Sequence, residues 1–454
     1  MTQLLCEGVY LDLHDDFGLQ FTHKNPLFAF DKLECERTTQ FKLPSTPKND
    51  AVLGLARIPA YDGAGMKRKF AAELQAGVVV KSGYLYVSSY DGKDYAAVLV
   101  TGELVRLQAV KNAGKIADYY APHVYATYGQ PRATTLGGYS LFETYFYANN
   151  LVNNGGVSAY SFENAKMRPG ISLYTLAVNT LVQQFGIPFK NEPSAMQELV
   201  YLPEKYVDAY GNEIATQGEG IDLAYNMPDW TAIDLLKVLA YANGLLLNFE
   251  GGKIEFVSLQ SDLSGVFDMS GKVIDEKETS RALSGFAQRS TIAWKDADKY
   301  GLPTTAYSIA NDNIEEGNTL YTIPAQPARF VNPYGAPAGV GNCALVWDQY
   351  ATNHFLPSQP IVPQGAEFLA RYVTGASDNN YLRPYDAYDY VLLNTLVQSL
   401  CDKTTQVKMS ARLTMSEYEG IGAKTIILYR GTQYVWMERS LQNGVAQFTL
   451  AKLS

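Results

Sequence analysis

Short β-type segments separated by turn residues occur at both ends of the sequence, and this pattern constrains the fold more than any other feature. The segments alternate apolar and polar residues or are rich in β-branched and aromatic residues, as strands are. We therefore predict a small barrel or sandwich in residues 1–110 and a meander in residues 407–450. The predicted strands are residues 9–13, 28–30, 39–43, 78–80, 84–87, 95–100, 407–413, 425–429, 433–438 and 445–450, with turns at Ser82-Gly83, Asp91-Gly92, Arg430-Gly431 and Asn443-Gly444.

The pattern changes to helical spacing in the middle of the chain. Ser172 is a predicted N-cap for a helix whose apolar residues recur every three or four positions. Gly186 and Pro188 are predicted to end that helix, because neither residue suits a helix interior.

A second helix, followed at once by a hairpin, is the clearest element of the central region. Asp229 is its predicted cap, and Asn243-Gly244 supplies the left-handed backbone that ends a helix. Residues 245–249 and 254–257 are then predicted to pair as two strands joined by a glycine turn.

Residues 300–365 are rich in proline and glycine, which favour loops over regular elements. Such a stretch is long for a loop inside a compact domain. We therefore predict that it runs as extended arms, as a linker or as an arm that packs on a neighbouring subunit.

The length of 454 residues exceeds the size at which one hydrophobic core stops growing, so about two to four domains are expected. The fold class is predicted to be mainly β (α+β), with small barrel or sandwich domains and an inserted helix-plus-hairpin domain. The predicted domains are an N-terminal β-barrel or sandwich (1–110), an α+β domain (111–260), a β or extended proline-rich connecting region (261–365) and a C-terminal β-meander (366–454).

The composition and charge of the chain limit the kinds of molecule that it is expected to bind. Hydrophobic residues make up 47% and charged residues 18% of the chain, which is typical of an ordered globular protein. The formal charge is -9, and no run of lysine and arginine interrupts it, so sequence-specific nucleic-acid binding is not expected. The chain has 33 tyrosines against four tryptophans, a balance that suits amphipathic strand faces, wet interfaces or carbohydrate contacts.

No apolar run approaches the length of a membrane span, and the first seven residues lack the pattern of a secretory signal. We therefore expect a chain that folds in a cytoplasm and has no membrane span. The cysteines have no close pairing, which predicts buried free thiols rather than disulfides or a zinc site. They are Cys6, Cys35, Cys343 and Cys401.

A search for catalytic motifs finds none that fits its chemistry. Residues 265–273 resemble a phosphate loop but have five residues between the glycines and Val273 where the magnesium-binding hydroxyl belongs. Gly63-Ala64-Gly65 and the glycines at 335, 339 and 341 lack the context of a dinucleotide site. The four histidines form no metal-binding pattern, and no G-x-S-x-G sequence is present.

Two further segments contain residues that could bind a metal ion. His14 beside Asp15 and Asp16 could ligate a cation, but a solvated turn between strands is favoured. Residues 311–317 resemble a calcium loop whose glycine is displaced by one position. We therefore predict no catalytic residue, no cofactor-binding residue and no metal site.

The segment 381–390 is the densest aromatic and acidic cluster in the chain. It could stack a sugar, and Asp386 and Asp389 could serve as paired carboxylates for glycoside hydrolysis. Two carboxylates three residues apart on one segment do not flank a bond from opposite sides, so packing or subunit contact is favoured. A carbohydrate-binding adhesin and a glycan-active enzyme remain the alternatives.

Two parts of the sequence resemble phage tail proteins. Residues 9–13 (VYLDL), 16–19 (DFGL) and 41–49 (FKLPSTPKN) resemble tail-associated structural proteins of phages and prophages of Bacteroides-like bacteria. Residues 230–257 are similar to the helix-plus-hairpin element of baseplate hub and late-control proteins.

The resemblance implies a baseplate hub in the virion tail, assembled in the host cytoplasm. Such a hub forms a ring around the tail channel, usually as a trimer, with a hexamer possible. Tube, spike and tape-measure proteins are the implied partners, and residues 407–450 are implied to form a tube-type domain. The protein would then work through interfaces: strand edges, tyrosine-rich faces and arms that contact adjacent chains.

Overall fold

The structure is a computed structural model. It describes residues 2–15, 17–28, 36–54, 69–76, 79–102, 105, 110, 114–119, 125–127, 135–136, 139–140, 142–147, 151–154, 157–160, 166–202, 210, 212, 220–222, 227–259, 261–280, 289–295, 305–308, 317–327, 330–331, 344–345, 362–363, 368–373, 381–383, 387–401, 406–442 and 444–453. Among these residues, no helix is both long and apolar enough to cross a lipid bilayer.

Fourteen strands form the largest sheet, which draws on both ends of the chain and curls into a half-barrel. In chain order they are β1 (Thr2–Cys6), β2 (Val9–Tyr10), β3 (Gln20–Lys24), β4 (Glu36–Thr38), β5 (Phe41–Pro44), β6 (Lys69–Ala76), β7 (Val79–Tyr90), β8 (Asp94–Thr101), β9 (Val266–Asp268), β10 (Val273–Ser280), β11 (Gln406–Arg412), β12 (Ile426–Tyr429), β13 (Thr432–Gln442) and β14 (Val445–Lys452). The predicted mainly β fold class is confirmed.

The strand order of this sheet is β2-β1-β6-β7-β8-β4-β3-β13-β14-β11-β10. Strand β5 lies beside β8, β12 beside β13, and β9 beside β12. The described pairs are antiparallel except β9 with β12. The predicted C-terminal strands therefore exist, and they form one sheet with the N-terminal strands.

Strands β3 and β13 join the two ends of the chain. They run antiparallel, with Phe21 opposite Leu441. The Asn25 side chain extends the join by donating to the carbonyl oxygens of Trp436 (2.7 Å) and Ala423 (2.9 Å). Asn25 is buried, so these bonds satisfy a polar group that would otherwise be costly to desolvate.

Side-chain hydrogen bonds connect the segment 41–49 to Asp12, which follows strand β2. Thr46 caps helix α1 (Pro47–Leu53) and donates from Oγ1 to Asp12 Oδ2 at 2.6 Å. The Asn49 side chain donates to the carbonyl oxygens of Asp12 and Pro44 and accepts the Asp12 N–H. The Thr46 hydroxyl and the Lys48 ammonium lower the pKa of Asp12. These residues, which carry part of the family resemblance, thus have a structural role.

Three large hydrophobic clusters, and a small one around Val435 and Ala451, lie among the described residues. One lies under the N-terminal strands, one under the C-terminal strands, and the third in the central region. Their largest buried side chains include Phe70 and Tyr95 in the first, Tyr418 and Trp436 in the second, and Tyr201, Tyr241, Phe256 and Trp294 in the third.

The described helices besides α1 are short except for α4 and α5. They are α2 (Leu173–Ala177), which continues as a π-helix (Val178–Gln184), α3 (Ser194–Gln197), α4 (Ala232–Tyr241), α5 (Ala387–Cys401) and α6 (Met415–Gly420), with 3₁₀ turns at Pro26–Phe28 and Ile116–Tyr119. Ser172 caps α2 by accepting the Thr175 N–H, which confirms its predicted role.

Helix α4 begins two residues later than predicted, because its cap is Thr231 and not Asp229. The Thr231 hydroxyl accepts the Asp234 N–H, and the Asp234 carboxylate accepts the Thr231 N–H. This reciprocal capping box satisfies two N-terminal donors, which Asp229 does not do. Gly244 has a φ of 67° and ends the helix as predicted. The predicted hairpin follows as strands Leu246–Glu250 and Lys253–Val257.

The turn predicted at Ser82-Gly83 is wrong, because β7 runs straight through it. A side chain at Gly83 would overlap the carbonyl oxygen of Val100 on β8. The glycine therefore allows close approach of two paired strands rather than a change of direction. The predicted turn at Asp91-Gly92 is confirmed: Gly92 has a φ of 93°, and the Asp91 carboxylate accepts the backbone N–H of Lys93 and Asp94.

The strand predicted at 28–30 is also wrong at Phe28, which ends a 3₁₀ turn. Asn25 causes the turn locally: its side chain accepts the Leu27 N–H at 3.0 Å, and its carbonyl accepts the Phe28 N–H at 3.0 Å. Residues 29 and 30 lie outside the described residues.

The remaining strands form one seven-stranded sheet and several smaller ones. They are Tyr125–Thr127, Thr135–Leu136, Tyr139–Ser140, Phe142–Tyr147, Leu151–Asn154, Val157–Tyr160, Lys166–Ser172, Leu199–Leu202, Gly220–Asp222, Arg289–Trp294, Thr305–Ser308, Gly317–Ile323, Gln326–Pro327, Phe330–Val331, Ala344–Leu345, Val362–Pro363, Phe368–Val373 and Tyr381–Arg383. Part of the predicted extended arm is thus sheet, since Thr305–Ser308 and Gly317–Ile323 flank Arg289–Trp294.

Candidate functional site

The segment that resembled a phosphate loop is two strands joined by a turn. Val266–Asp268 is β9, Val273 begins β10, and Gly271 between them has a φ of 74°. A phosphate loop leads from a strand into a helix N-terminus, where free N–H groups face the anion. This segment leads into a strand, in agreement with its rejection on spacing.

His14 contacts a carboxylate at the start of strand β8. Its Nε2 lies 3.0 Å from Asp94 Oδ1, and Asp94 Oδ2 lies 3.6 Å from Lys42 Nζ. Within the described part of the chain, no group of three or more His, Cys, Asp or Glu side chains could hold a metal ion. His14 thus links the segment after β2 to the start of β8.

The cluster at 381–390 spans two elements. Tyr381–Arg383 is a strand, and Ala387 begins helix α5, which the sequence reading did not predict. Asp386 lies outside the described residues, and Asp389 is described only as backbone in the helix.

Several other residues with candidate roles in the sequence lie outside the described residues or have undescribed side chains. They are Asp16, Cys35, Gly63, Ala64, Gly65, His123, residues 311–316, Gly335, Gly339, Gly341, Cys343, His354 and Cys401.

The outer strands of the large sheet present apolar side chains to solvent. Among the described strands, β2 pairs only with β1, and β10 pairs only with β11. Val9 and Tyr10 on β2 are 37% and 45% exposed, and Ile274 on β10 is 53% exposed. Unpaired strand edges with apolar side chains are suited to contacts with other chains.

A polar cavity lies where the two chain ends meet the central hairpin. Its volume is about 780 Å³. Its wall combines β7, the end of strand Leu246–Glu250, the loop after α6, and β13. The residues that line this polar cavity include His23, Glu36, Lys81, Tyr84, Asn248, Phe249, Glu250, Glu419, Lys424, Trp436 and Arg439.

One wall of the polar cavity is a buried ion cluster around Lys81. Lys81 Nζ lies 2.5 Å from Glu36 Oε2 and 2.6 Å from Glu419 Oε1. Thr101 Oγ1 donates to the same Glu36 oxygen at 2.8 Å. Burial alone would raise the pKa of Glu36, but Lys81, His23 and Arg439 together outweigh burial and hold that pKa below its ordinary value. The cluster connects β4 and β7 to helix α6.

A second wall is built on Arg439 of β13. Its guanidinium donates to the carbonyl oxygens of Tyr418 and Ile421, each at 2.6 Å. It also lies over the rings of Tyr418 (4.3 Å) and Trp436 (4.8 Å). Burial raises the pKa of the Tyr418 hydroxyl. Arg439 thus fixes the backbone that follows α6 against the sheet.

The third wall joins the central hairpin to the C-terminal loop. Glu255 accepts hydrogen bonds from Lys424 (2.7 Å) and Asn248 (2.8 Å), and Lys190 lies 3.1 Å away. Burial would raise the pKa of Glu255, but the bonds from Lys424, Asn248 and Lys190 outweigh it and lower that pKa.

Three polar atoms of residues that line the polar cavity have neither a hydrogen-bond nor an ion-pair partner among the described residues, and each of these atoms is shielded from solvent. They are the carboxylate oxygen Oε1 of Glu36, the amide oxygen Oδ1 of Asn248 and the guanidinium Nε of Arg439. The three residues are 4%, 3% and 5% exposed. Sequence reasoning missed them, since they lie far apart in the chain and no local spacing brings them together.

Acid is expected to weaken this junction through His23. Burial, together with the positive charge of Arg439, lowers the pKa of His23 to about 3. Below the ordinary histidine pKa of about 6.5 the unfolded chain gains a proton that the folded chain does not. The free energy of unfolding is therefore unaffected by His23 above about pH 6.5. It decreases as the pH falls from about 6.5 toward about 3.

His23→Gln should reduce this pH dependence by about 1 kcal/mol per pH unit between about pH 6 and pH 4. Urea unfolding at a series of pH values measures it. His14→Gln is the matched control, because the His14 side chain is 32% exposed and contacts Asp94 of the same sheet. The prediction would be contradicted if the free energy of unfolding changed with pH equally in the His23 variant and the unmodified protein.

Comparison with known proteins gives structural similarity only. No protein-family model and no curated protein matches the sequence. The fold is similar to the 43 kDa tail protein of prophage MuSo2 from Shewanella oneidensis, with a TM-score of 0.44, 10% identity, and coverage of 100% of this chain and 96% of that chain. It is also similar to prophage tail protein gp18 from Listeria monocytogenes EGD-e, with a TM-score of 0.38, 8% identity, and coverage of 99% and 94%. The p2 virion baseplate in its activated conformation gives a TM-score of 0.25, 9% identity, and coverage of 98% and 90%.

Proposed function

We propose that the protein is a non-catalytic structural component of a bacteriophage tail, acting as a baseplate hub. Copies of the chain form a closed ring around the tail channel, as a homotrimer in preference to a hexamer. The ring docks tube, spike or tape-measure proteins in the virion. The sequence resemblance of residues 9–13, 16–19, 41–49 and 230–257 to phage tail proteins supports this proposal.

The structural observation that carries the proposal is the pair of sheet edges. Strands β2 and β10 end the main strand path on opposite sides. Two different edges on one subunit favour head-to-tail contacts, and such contacts form a ring when the rotation closes. The eight-residue strand β10 offers the longer edge.

The negative net charge of the chain agrees with a position around a channel that conducts DNA. The formal charge of -9 gives a field that repels nucleic acid. A conduit for DNA needs a wall on which the polymer does not adhere. A sequence-specific nucleic-acid contact is not part of the proposal.

Light scattering of the purified chain, with negative-stain images of the same sample, tests the ring. The expected result is the mass of a trimer or hexamer and a ring with a central hole. A chain that stays monomeric, even inside purified particles, would exclude the proposed hub.

Ile274→Lys is expected to shift the oligomer toward monomer. Ile274 is 53% exposed on β10, and a lysine on a strand edge opposes pairing with another edge. We expect at least a tenfold weaker association, which corresponds to about 1.4 kcal/mol. Sedimentation velocity over a concentration series measures it.

Val391→Lys is the matched control for this experiment, because Val391 is an apolar residue with 55% exposure on helix α5. It should leave the oligomer unchanged. Equal association of the Ile274 variant and the unmodified protein would remove β10 from the interface.

A further inference from the structure

The large sheet has a basic outer face, although the formal charge of the chain is -9. Strands β4, β3, β13, β14, β11 and β10 are neighbours in the sheet, and alternate residues of each point to solvent. These solvent-side residues form the basic face: Arg37, Gln20, Thr22, Lys24, Glu438, Ser440, Gln442, Val445, Gln447, Thr449, Lys408, Ser410, Arg412, Asp275 and Lys277. The basic face has five cations and two carboxylates.

We propose that the basic face binds the phosphate backbone of duplex DNA, independently of base sequence. The proposal goes beyond the hub function, since it holds for a single chain in any oligomeric state. The sequence contains no run of lysine and arginine, and the cations come together only when distant strands pair.

Strand register shows that these side chains share one side of the sheet. One row of directly opposite residues runs from β3 to β10 through Thr22, Ser440, Gln447, Ser410 and Asp275. Directly opposite residues on paired strands point to the same side of a sheet. The buried residues between them point to the other side, into the hydrophobic clusters. The basic face is therefore continuous across the six strands.

Four cations of the basic face lack a compensating charge. Lys277 on β10 lies directly opposite Lys408 on β11, and both are exposed. Like charges at such positions are destabilising, and a bound anion relieves their repulsion. Arg37 and Arg412 are exposed as well. None of the four forms an ion pair with Asp275 or with any other described residue.

The uncharged residues of the basic face suit a sugar-phosphate backbone. Serine, threonine and glutamine contact phosphate oxygens and sugars alongside lysine and arginine. Seven residues of the basic face belong to these uncharged types, and its single apolar residue is Val445. Protein interfaces usually bury a central apolar or aromatic cluster, which the basic face lacks. Its composition therefore favours DNA over a second protein.

The dimensions also fit a duplex. Six strands about 4.8 Å apart span about 24 Å, the length of about seven base pairs. At physiological salt, charges more than about 8 Å away are largely screened. The acidic residues elsewhere in the chain thus slow the approach of DNA, while the cations of the basic face act at contact.

The test measures fluorescence anisotropy of a labelled duplex of about 20 base pairs, titrated with the full chain at several salt concentrations. We expect a Kd of about 1–100 μM at about 50 mM salt and a slope of about -3 to -4 for log K against log salt, from about four phosphate contacts. Two duplexes of different sequence should bind within about twofold of each other. No binding at about 50 mM salt would overturn the proposal.

Polyglutamate of equal charge is the comparison probe. It should bind at least about tenfold more weakly, because it has a lower charge density and loses more conformational entropy on binding. Polyglutamate that binds as tightly as the duplex would overturn the proposal in favour of an acidic protein partner.

Lys408→Gln is expected to weaken duplex binding at least about fivefold at about 50 mM salt and to reduce the salt slope by about 1. Lys277→Gln with Lys408→Gln should reduce the slope by about 2. Lys253→Gln is the matched control, because Lys253 is an exposed lysine on a strand of the central hairpin, outside the large sheet. An unchanged slope in the double variant would overturn the assignment.

Stability and mass measurements on the same double variant separate DNA binding from other roles. Both lysines are exposed and repel each other, so their replacement should not lower the Tm. Light scattering should give the mass of the unmodified protein. A changed mass together with undiminished DNA binding would overturn the proposal, since the basic face would then be a subunit contact.

Discussion

Lys81→Met is expected to lower the free energy of unfolding by about 3–5 kcal/mol. The Lys81 and Glu36 side chains are only 6% and 5% exposed, so removal of the cation leaves a buried carboxylate with no opposite charge at 2.5 Å. An isolated buried charge is among the most destabilising changes in a protein interior. Chemical denaturation followed by far-UV circular dichroism measures the loss.

A double variant separates the charge from the packing. Lys81→Met with Glu36→Gln removes both charges and keeps an acceptor for the Thr101 hydroxyl, which donates to Glu36. We expect it to recover at least half of the stability lost in Lys81→Met, since replacing a whole buried pair is close to neutral. A double variant no more stable than Lys81→Met would show that the lysine acts through its packing, for instance over the Phe21 ring at 4.6 Å.

Trp436→Ala is expected to cost about 3–5 kcal/mol, the range for deleting a large aromatic side chain from a core. Trp436 is 1% exposed, and its Nε1 donates to the Gly422 carbonyl at 2.7 Å. Its ring also packs against His23 and Arg439. The substitution would therefore create a cavity and release the loop after α6 at the same time.

Trp436→Phe distinguishes these two effects. It keeps an aromatic ring and loses the indole N–H, so a loss of about 1–2 kcal/mol is expected. Urea unfolding of both variants gives the comparison. If the phenylalanine variant loses as much as the alanine variant, the hydrogen bond to Gly422 and not the ring dominates at this position.

Local sequence signals predicted much of the fold. Ser172 capped its helix, Gly244 ended the next one, and the glycine turns at 92 and 431 appeared where they were expected. Each of these depends on the backbone preference of one or two residues, so nearby sequence is sufficient. Helix α5 was missed because its segment was interpreted as an aromatic cluster.

Features that depend on distant residues were not predictable in this way. Gly83 resembled a turn residue, because the sequence does not show that the Val100 carbonyl lies against it. The polar cavity was even less predictable from local sequence. Its lining residues Glu36, Asn248 and Arg439 come from three parts of the chain and meet only in the folded molecule. Periodicity identifies the strands, but it does not identify which strands become neighbours.

The pairing of β3 with β13 has a consequence for how the protein is made. His23 and Arg439 are in contact although 416 residues separate them. Strand β3 must therefore wait for every residue up to β13 to be synthesised before it gains its partner. Contacts this distant in sequence are slow to form and leave strand edges exposed in the meantime. The large sheet is consequently completed only after β13 has been synthesised, and a chain cut short before β13 leaves the ribosome with an unfilled strand position that chaperones and proteases can recognise.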